Sequence, residues 1–123
     1  MTTLHVRQKN NLLRQTISPL ISIIMFLDDR FKENARQLCK QFGISRLSVF
    51  GSVARGDDND SSDIDFLAEF DSPMPATMPD RFLGFLEEAK KRYNRPIQLM
   101  TPNMIRNPHL KRSIDRDLTV IHE

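Results

Sequence analysis

The sequence predicts an α/β (α+β) domain in which helices flank a small mixed β-sheet. Three observations lead there. Apolar residues recur at helical spacing over residues 31–42 and again over 82–93, as in helices that bury one stripe. Residues 63–70 instead alternate, with Ile64, Phe66, Ala68 and Phe70 facing one way and Asp63, Asp65, Leu67 and Glu69 the other, as in a strand. Helical and strand segments follow one another in turn, and 123 residues are enough for one core but not for two.

Each element has its own justification. The first helix rests on Phe31, Ala35, Leu38, Cys39 and Phe42, with Asp28 or Asp29 available as N-cap. Gly43 can take the left-handed position that ends a helix, which lets Ile44 fold back on the last turn. Residues 46–50 then read as a short strand running straight into Gly51-Ser52. Residues 52–56 start a short helix, and 57–61 form a polar loop ahead of the alternating strand. Pro73, Pro75 and Pro79 mark residues 71–79 as a loop or the lead-in to the next helix. The helix after it runs from about Asp80 to Tyr93 and buries Phe82, Phe85, Leu86, Ala89 and Tyr93. Residues 96–100 supply a third strand. Asn107-Pro108 is a good helix start, Asn as cap and Pro in the first turn, for a helix over residues 108–116. Residues 118–121 make a last short strand.

Residues 1–26 read as an N-terminal extension. Arg7, Lys9 and Arg14 precede an apolar stretch, residues 17–27, that superficially resembles a secretion signal. It is too short to span a membrane, contains Pro19, and leads into Asp28-Asp29 without a small-residue cleavage site. The expectation is a cytoplasmic protein with no membrane anchor; Met25 is an alternative biological start.

Apolar content of 39% and charged content of 28% are ordinary for a globular protein. A net charge of +2 is too slight to argue for direct nucleic-acid binding. The single Cys39 cannot form an internal disulfide and sits on an apolar helix face, so it reads as a buried structural thiol in a reducing compartment. His5, His109 and His122 show no ligand spacing and read as surface or helix-end residues. Lys90, Lys91, Arg92 and Arg95 read as a solvated helix end, where cations favour the dipole, the sharper alternative being a surface for an acidic or RNA-bearing partner.

The chemistry concentrates in residues 51–67. A Gly-Ser turn follows one apolar strand, and an Asp-x-Asp pair opens the next, eleven residues beyond Ser52. Glycine lets the backbone approach a bulky anion with no Cβ in the way. Ser52 adds a hydroxyl and a backbone N–H at a helix start. Arg55, one helical turn on, can contact phosphate or equally pair with a loop acid. Asp63 and Asp65 share one strand face, with Cβ atoms roughly 6–7 Å apart, and can converge on a hard cation such as Mg²⁺, which is held by one or two carboxylates plus substrate phosphates. Two metals so held would serve a hydroxyl attack on an α-phosphate with loss of pyrophosphate. Asp57, Asp58, Asp60, Asp63, Asp65, Glu69 and Asp71 also place seven acids in fifteen residues without a base. That density opposes folding unless cations or outside bases offset it.

Gly51-Ser52-x-Ala54-Arg55-Gly56 followed by Ser62-Asp63-Ile64-Asp65 resembles the signature of the DNA polymerase beta-like nucleotidyltransferases. More narrowly it resembles the minimal nucleotidyltransferases often encoded beside a HEPN-domain partner. The resemblance covers the chain from about residue 27 to 123, including the strand beginning Arg95-Pro96-Ile97-Gln98 and the helix start at Asn107. It implies a nucleotidyltransferase fold over residues 27–123, an NTP (ATP in the antitoxin members) and Mg²⁺. It also implies catalytic and metal-holding roles for Asp63 and Asp65, and nucleotide binding at Gly51, Ser52 and Arg55. In antitoxin members the acceptor is a tyrosine of the HEPN toxin.

One position departs from that pattern. Fully active members bring a third carboxylate from the next strand, where this sequence has Gln98. Alternation turns Gln98 away from Ile97 and Leu99 and towards the Asp63/Asp65 side. A neutral amide can touch a cation but cannot accept the nucleophile's proton. Its loss weakens the nucleophile-side metal more than the triphosphate-side metal. The alternative expectation is therefore a catalytically degenerate nucleotide- and partner-binding module that acts by occlusion.

Overall fold

A computed structural model of the chain describes residues 29–59 and 61–123. In order they form α1 (Asp29–Phe42), β1 (Ile44–Phe50), α2 (Gly51–Arg55), β2 (Ile64–Phe70), α3 (Met78–Tyr93), β3 (Ile97–Met100), a 3-10 turn (Pro102–Met104), α4 (Pro108–Asp117) and β4 (Thr119–His122). The strands make one sheet in the order β3-β2-β1-β4. β1 runs antiparallel to β2 and β4, and β2 parallel to β3. The sheet is therefore mixed, as expected from the alternating elements. The N-terminal extension, with the apolar residues 17–27 and Met25, lies outside the described residues. Among the described residues no helix is long and apolar enough to cross a membrane.

The alternation of β2 divides the core in two. Ile64, Phe66 and Ala68 are fully buried in the main core. They pack there with Phe31, Ala35, Leu38 and Cys39 of α1 and with Phe85 and Ala89 of α3. Leu67 points to the other face and packs with Phe50 and with Ile114 of α4. The main core is knit by aromatic rings: Phe66 meets Phe85 edge-on at 5.5 Å between centroids, and Tyr93 at 6.0 Å. Cys39 is buried among these residues, and desolvation pushes its thiol up to about 12. It is the structural thiol that its place on the helix face suggested.

Most boundaries fall within one residue of the sequence reading, and two differ by two residues for definable reasons. β1 begins at Ile44 rather than Arg46, because its pairing with β2 shifts register between Ile44 and Arg46. The bulge takes up one residue, so Ile44 and Leu47 both enter the core although three positions apart. No simple alternation carries that signal. α3 starts at Met78, because Pro79 falls in the first turn, where its missing N–H costs no intrahelical bond. Of the two readings open for residues 71–79, Pro79 thus takes the helix lead-in.

Where α1, β2 and α3 meet, Arg81 is saturated with backbone acceptors. Its guanidinium donates to the carbonyls of Phe42 (3.0 Å), Gly43 (2.7 Å) and Asp71 (2.8 Å), and it lies over the Phe70 ring. Gly43, at φ +71°, takes the predicted left-handed turn, and a Cβ there would come within 2.5 Å of the Arg81 guanidinium.

Candidate functional site

Because β1 and β2 are antiparallel, the end of one lies beside the start of the other, and Phe50 pairs with Asp65. The next residue, Gly51, therefore turns directly against the Asp65 side chain. Gly51 has φ +74°, and a Cβ built on it would run into Asp65 Oδ2. Glycine is required here on two independent grounds, backbone conformation and lack of space. The chain passes at once into α2, whose first N–H groups have no acceptor within the helix. Ser52 stands there half-buried.

β3 completes the arrangement. In its parallel pairing with β2, Gln98 is the register partner of Asp65. Ile97 and Leu99 enter the main core while Gln98 is exposed. Gln98 thus shares the Asp65 face, as alternation predicted. Asp63 is exposed and sits one residue before the β2 ladder rather than inside it. Gly51, Ser52, Asp65 and Gln98 are brought to one end of three adjacent elements, with Asp63 at the rim.

The carboxylates interact. Burial, and secondly the charge of Asp63, raise the pKa of Asp65 above its ordinary value, while Arg55 pulls it down. A raised folded-state pKa favours the protonated acid in the native protein. Its stabilising contribution is present below the unfolded value and is lost as pH rises through the folded one. Without divalent ions, Asp65→Asn is therefore expected to melt at a higher temperature than the parent at pH 7. The advantage should vanish near pH 3, where both states carry a neutral group. Thermal unfolding in EDTA at the two pH values checks this, and Mg²⁺ should narrow the gap at pH 7 if the pair holds it. The donor chemistry fits one such cation: two mutually repelling hard oxygen donors beside a glycine turn at a helix start. Among the described residues, no group of three or more His, Cys, Asp or Glu is gathered for a metal, and the β3 residue in register with Asp65 is the neutral Gln98.

Of the two roles open to Arg55, the described structure shows the pairing one. Its Nε donates to Asp57 (3.1 Å) and an Nη to Asp117 (2.9 Å). The Asp117 side chain is only 10% exposed, so that contact also ties α4 to α2. Sequence reading missed Asp117, which is 62 residues away and carries no local signal.

Arg95 corrects the sequence reading. Lys90, Lys91 and Arg92 do form an exposed helix end, but Arg95 does not belong to it. Asn94, at φ +54°, turns the chain out of α3. Arg95 is then drawn inward to Asp58 (3.0 Å), with side-chain exposures of 9% and 12%. Its Nε and Nη2 also donate to the Ser62 carbonyl at 3.0 and 2.8 Å. A left-handed cap followed by Arg-Pro is the signal that could have separated Arg95 from the helix end.

An apolar groove of about 670 Å³ lies elsewhere, lined by Phe70, Met78, Phe82, Pro102 and Met104 among others. It adjoins the far ends of β2 and β3, away from Asp65 and Gln98, and contributes nothing to this arrangement.

A family profile described as a nucleotidyltransferase domain matches residues 31–121. Two proposed protein adenylyltransferases of Methanocaldococcus jannaschii are each 30% identical to the chain, over 90 and 93 residues. Each alignment takes in 73% of this chain and 89% of the relative. Among solved structures, a proposed minimal nucleotidyltransferase superposes with a TM-score of 0.59 at 24% identity, covering 72% of this chain and 86% of the other. A chain of a toxin-antitoxin complex with AMP-PNP superposes with a TM-score of 0.57 at 13% identity, covering 73% and 71%. At those identities the superpositions establish the fold.

Proposed function

The chain belongs to the nucleotidyltransferase domain family, and on that premise we propose that it transfers a nucleotidyl group, AMP from ATP, to a protein. The acceptor in this reading is a HEPN-type toxin encoded nearby, the chain being its antitoxin in the cytoplasm. The observation that carries the reading is the approach of Gly51 to Asp65, which sets the Gly-Ser turn against one carboxylate of the Asp-x-Asp pair. The curated relatives are described as acting on proteins, and the AMP-PNP-bound neighbour is a toxin-antitoxin complex.

The residues divide the work as follows. Gly51 lets the triphosphate come close to the backbone, and the Ser52 hydroxyl and N–H hold a phosphate oxygen. Arg55 contributes charge from the next turn if it exchanges its Asp57 contact for phosphate. Asp63 and Asp65 would hold Mg²⁺, which when bound neutralises the triphosphate and eases ionisation of the acceptor hydroxyl. The acceptor oxygen forms a bond to the α-phosphorus, the α–β bridging bond breaks, pyrophosphate leaves and the hydroxyl proton passes to solvent. Gln98, lacking a carboxylate, cannot take that proton. Tyr93, the one tyrosine in the sequence, donates its hydroxyl to the Phe31 carbonyl at 2.9 Å. Burial, its leading influence, raises its pKa. Tyr93 is therefore not placed to act as the acceptor.

The test is incubation with labelled ATP, Mg²⁺ and the HEPN protein of the neighbouring gene. Label should pass to that protein, and Asp63→Ala should lose the transfer. No label, or equal label with Asp63→Ala, overturns the reading. Gln98, in register with Asp65, favours one second reading: a module that keeps nucleotide and partner but no longer transfers, and neutralises by occlusion. Gln98→Asp separates the two. Gain of transfer only in that variant supports occlusion, and equal transfer by the parent rules it out.

A further inference from the structure

Asp63 lies outside the β2 ladder, yet both of its flanking peptide groups are fixed, and from one place. On its N-terminal side the Ser62 carbonyl receives Nε and Nη2 of Arg95 at 3.0 and 2.8 Å. On its C-terminal side the Ile64 N–H donates to the Pro96 carbonyl at 2.9 Å. Two residues further on, Gln98 is the register partner of Asp65. The stretch joining α3 to β3 thus sets the backbone of one carboxylate residue and flanks the other.

The same guanidinium anchors the loop that delivers Asp63. Arg95 pairs with Asp58 at 3.0 Å, and both side chains are about nine-tenths buried. Within the loop, Asn59 Oδ1 accepts from the Ser61 N–H (2.9 Å), and the Ser62 N–H donates to the Asn59 carbonyl (3.0 Å). Arg95 is therefore a cation held inside an acid-rich segment that has no base of its own. A guanidinium can meet one carbonyl with two N–H groups while a third contact takes a carboxylate. An ammonium would keep the charge near Asp58 but could not reproduce the forked contact on Ser62.

We propose that Arg95 is a positioning residue for Asp63: by clamping the Ser62 carbonyl and Asp58 it aims the Asp63 carboxylate at the cation that accompanies the nucleotide. This rests on the reading of Asp63 as a metal-holding group. Partners that orient a ligand through a hydrogen bond are commonly worth tenfold or more in metal affinity.

The test uses the full chain and Arg95→Lys, which retains the buried charge. A fluorescent ATP analogue is titrated at increasing Mg²⁺ and again in EDTA, for the parent, Arg95→Lys, Asp63→Ala and the double variant. Arg95→Lys is expected to raise the Mg²⁺ needed for half-saturation by about tenfold. Binding in EDTA, which depends on Gly51 and Ser52, should not change, and in the Asp63→Ala background the substitution should have no further effect. Amide hydrogen exchange should accelerate at Ile64, whose N–H is held by the Pro96 carbonyl, in Arg95→Lys while the centre of β1 keeps its protection. Equal weakening with and without Mg²⁺, additivity with Asp63→Ala, or unchanged exchange at Ile64 overturns the proposal. A parent that binds no nucleotide at any Mg²⁺ overturns the functional reading itself and the proposal with it. A parent that binds, with Arg95→Lys silent, overturns the proposal alone.

Discussion

Gly51→Ala is expected to cut nucleotidyl transfer by about a hundredfold or more while leaving the chain folded. Two penalties fall on one methyl group. An L-residue held at φ +74° costs about 1–2 kcal/mol, which measures the loss of stability. The new Cβ would also overlap Asp65 Oδ2, so the carboxylate must swing away from the turn. A displacement of about 1 Å at reacting groups costs on the order of a hundredfold in rate, and that sets the loss of activity. Gly43→Ala is the control, since Gly43 has a similar φ of +71° but its Cβ would meet Arg81 at the opposite end of α3 from Tyr93. It should lower stability without changing turnover per folded molecule. Denaturant unfolding and transfer kinetics on both variants separate the two effects.

Phe66→Ala is expected to cost about 3–5 kcal/mol, the range for deleting a buried aromatic ring. Phe66 is fully buried on β2 and lies within ring contact of Phe31, Phe85 and Tyr93. Its removal would open a cavity at the junction of both helices with the sheet. Domains of this kind are stable by only about 5–15 kcal/mol in total, so the variant should be partly unfolded at physiological temperature. Leu67→Ala, one residue on but facing the smaller core with Phe50 and Ile114, should cost less, about 2–3 kcal/mol. Urea midpoints for the pair check the two-sided core, and equal losses would contradict it.

The readable part of this chain was the part governed by local periodicity. Alternation in β2 placed Asp65 on the face opposite Phe66, and the same rule applied to β3 placed Gln98 beside it; both follow from a period of two. The caps were readable too, because Gly43 and Asn107 act on their own backbone neighbours: Asn107 accepts from His109 N–H at 2.8 Å. What escaped depends on pairing across the chain. The bulge after Ile44 exists only relative to β2. The bases that offset the acidic segment arrive mostly from elsewhere: Arg95 reaches Asp58 from beyond α3, and Arg46 reaches Glu69 from the neighbouring strand at 3.8 Å. Only Arg55, two residues before Asp57, was near enough in sequence to suggest its partner. The site's composition was therefore legible, whereas the supports that hold it in place were not.

On the proposed reading, the Gly51-Ser52 turn and the Asp63/Asp65 pair form one nucleotide and cation site. Calorimetric titration of the parent and of Gly51→Ala with ATP, in Mg²⁺ and in EDTA, tests it most directly. The parent should bind ATP more tightly with Mg²⁺ than without, and Gly51→Ala should lose most of that binding although still folded. ATP binding that is indifferent to both Mg²⁺ and the Gly51 substitution, or no binding by the folded parent, would contradict it.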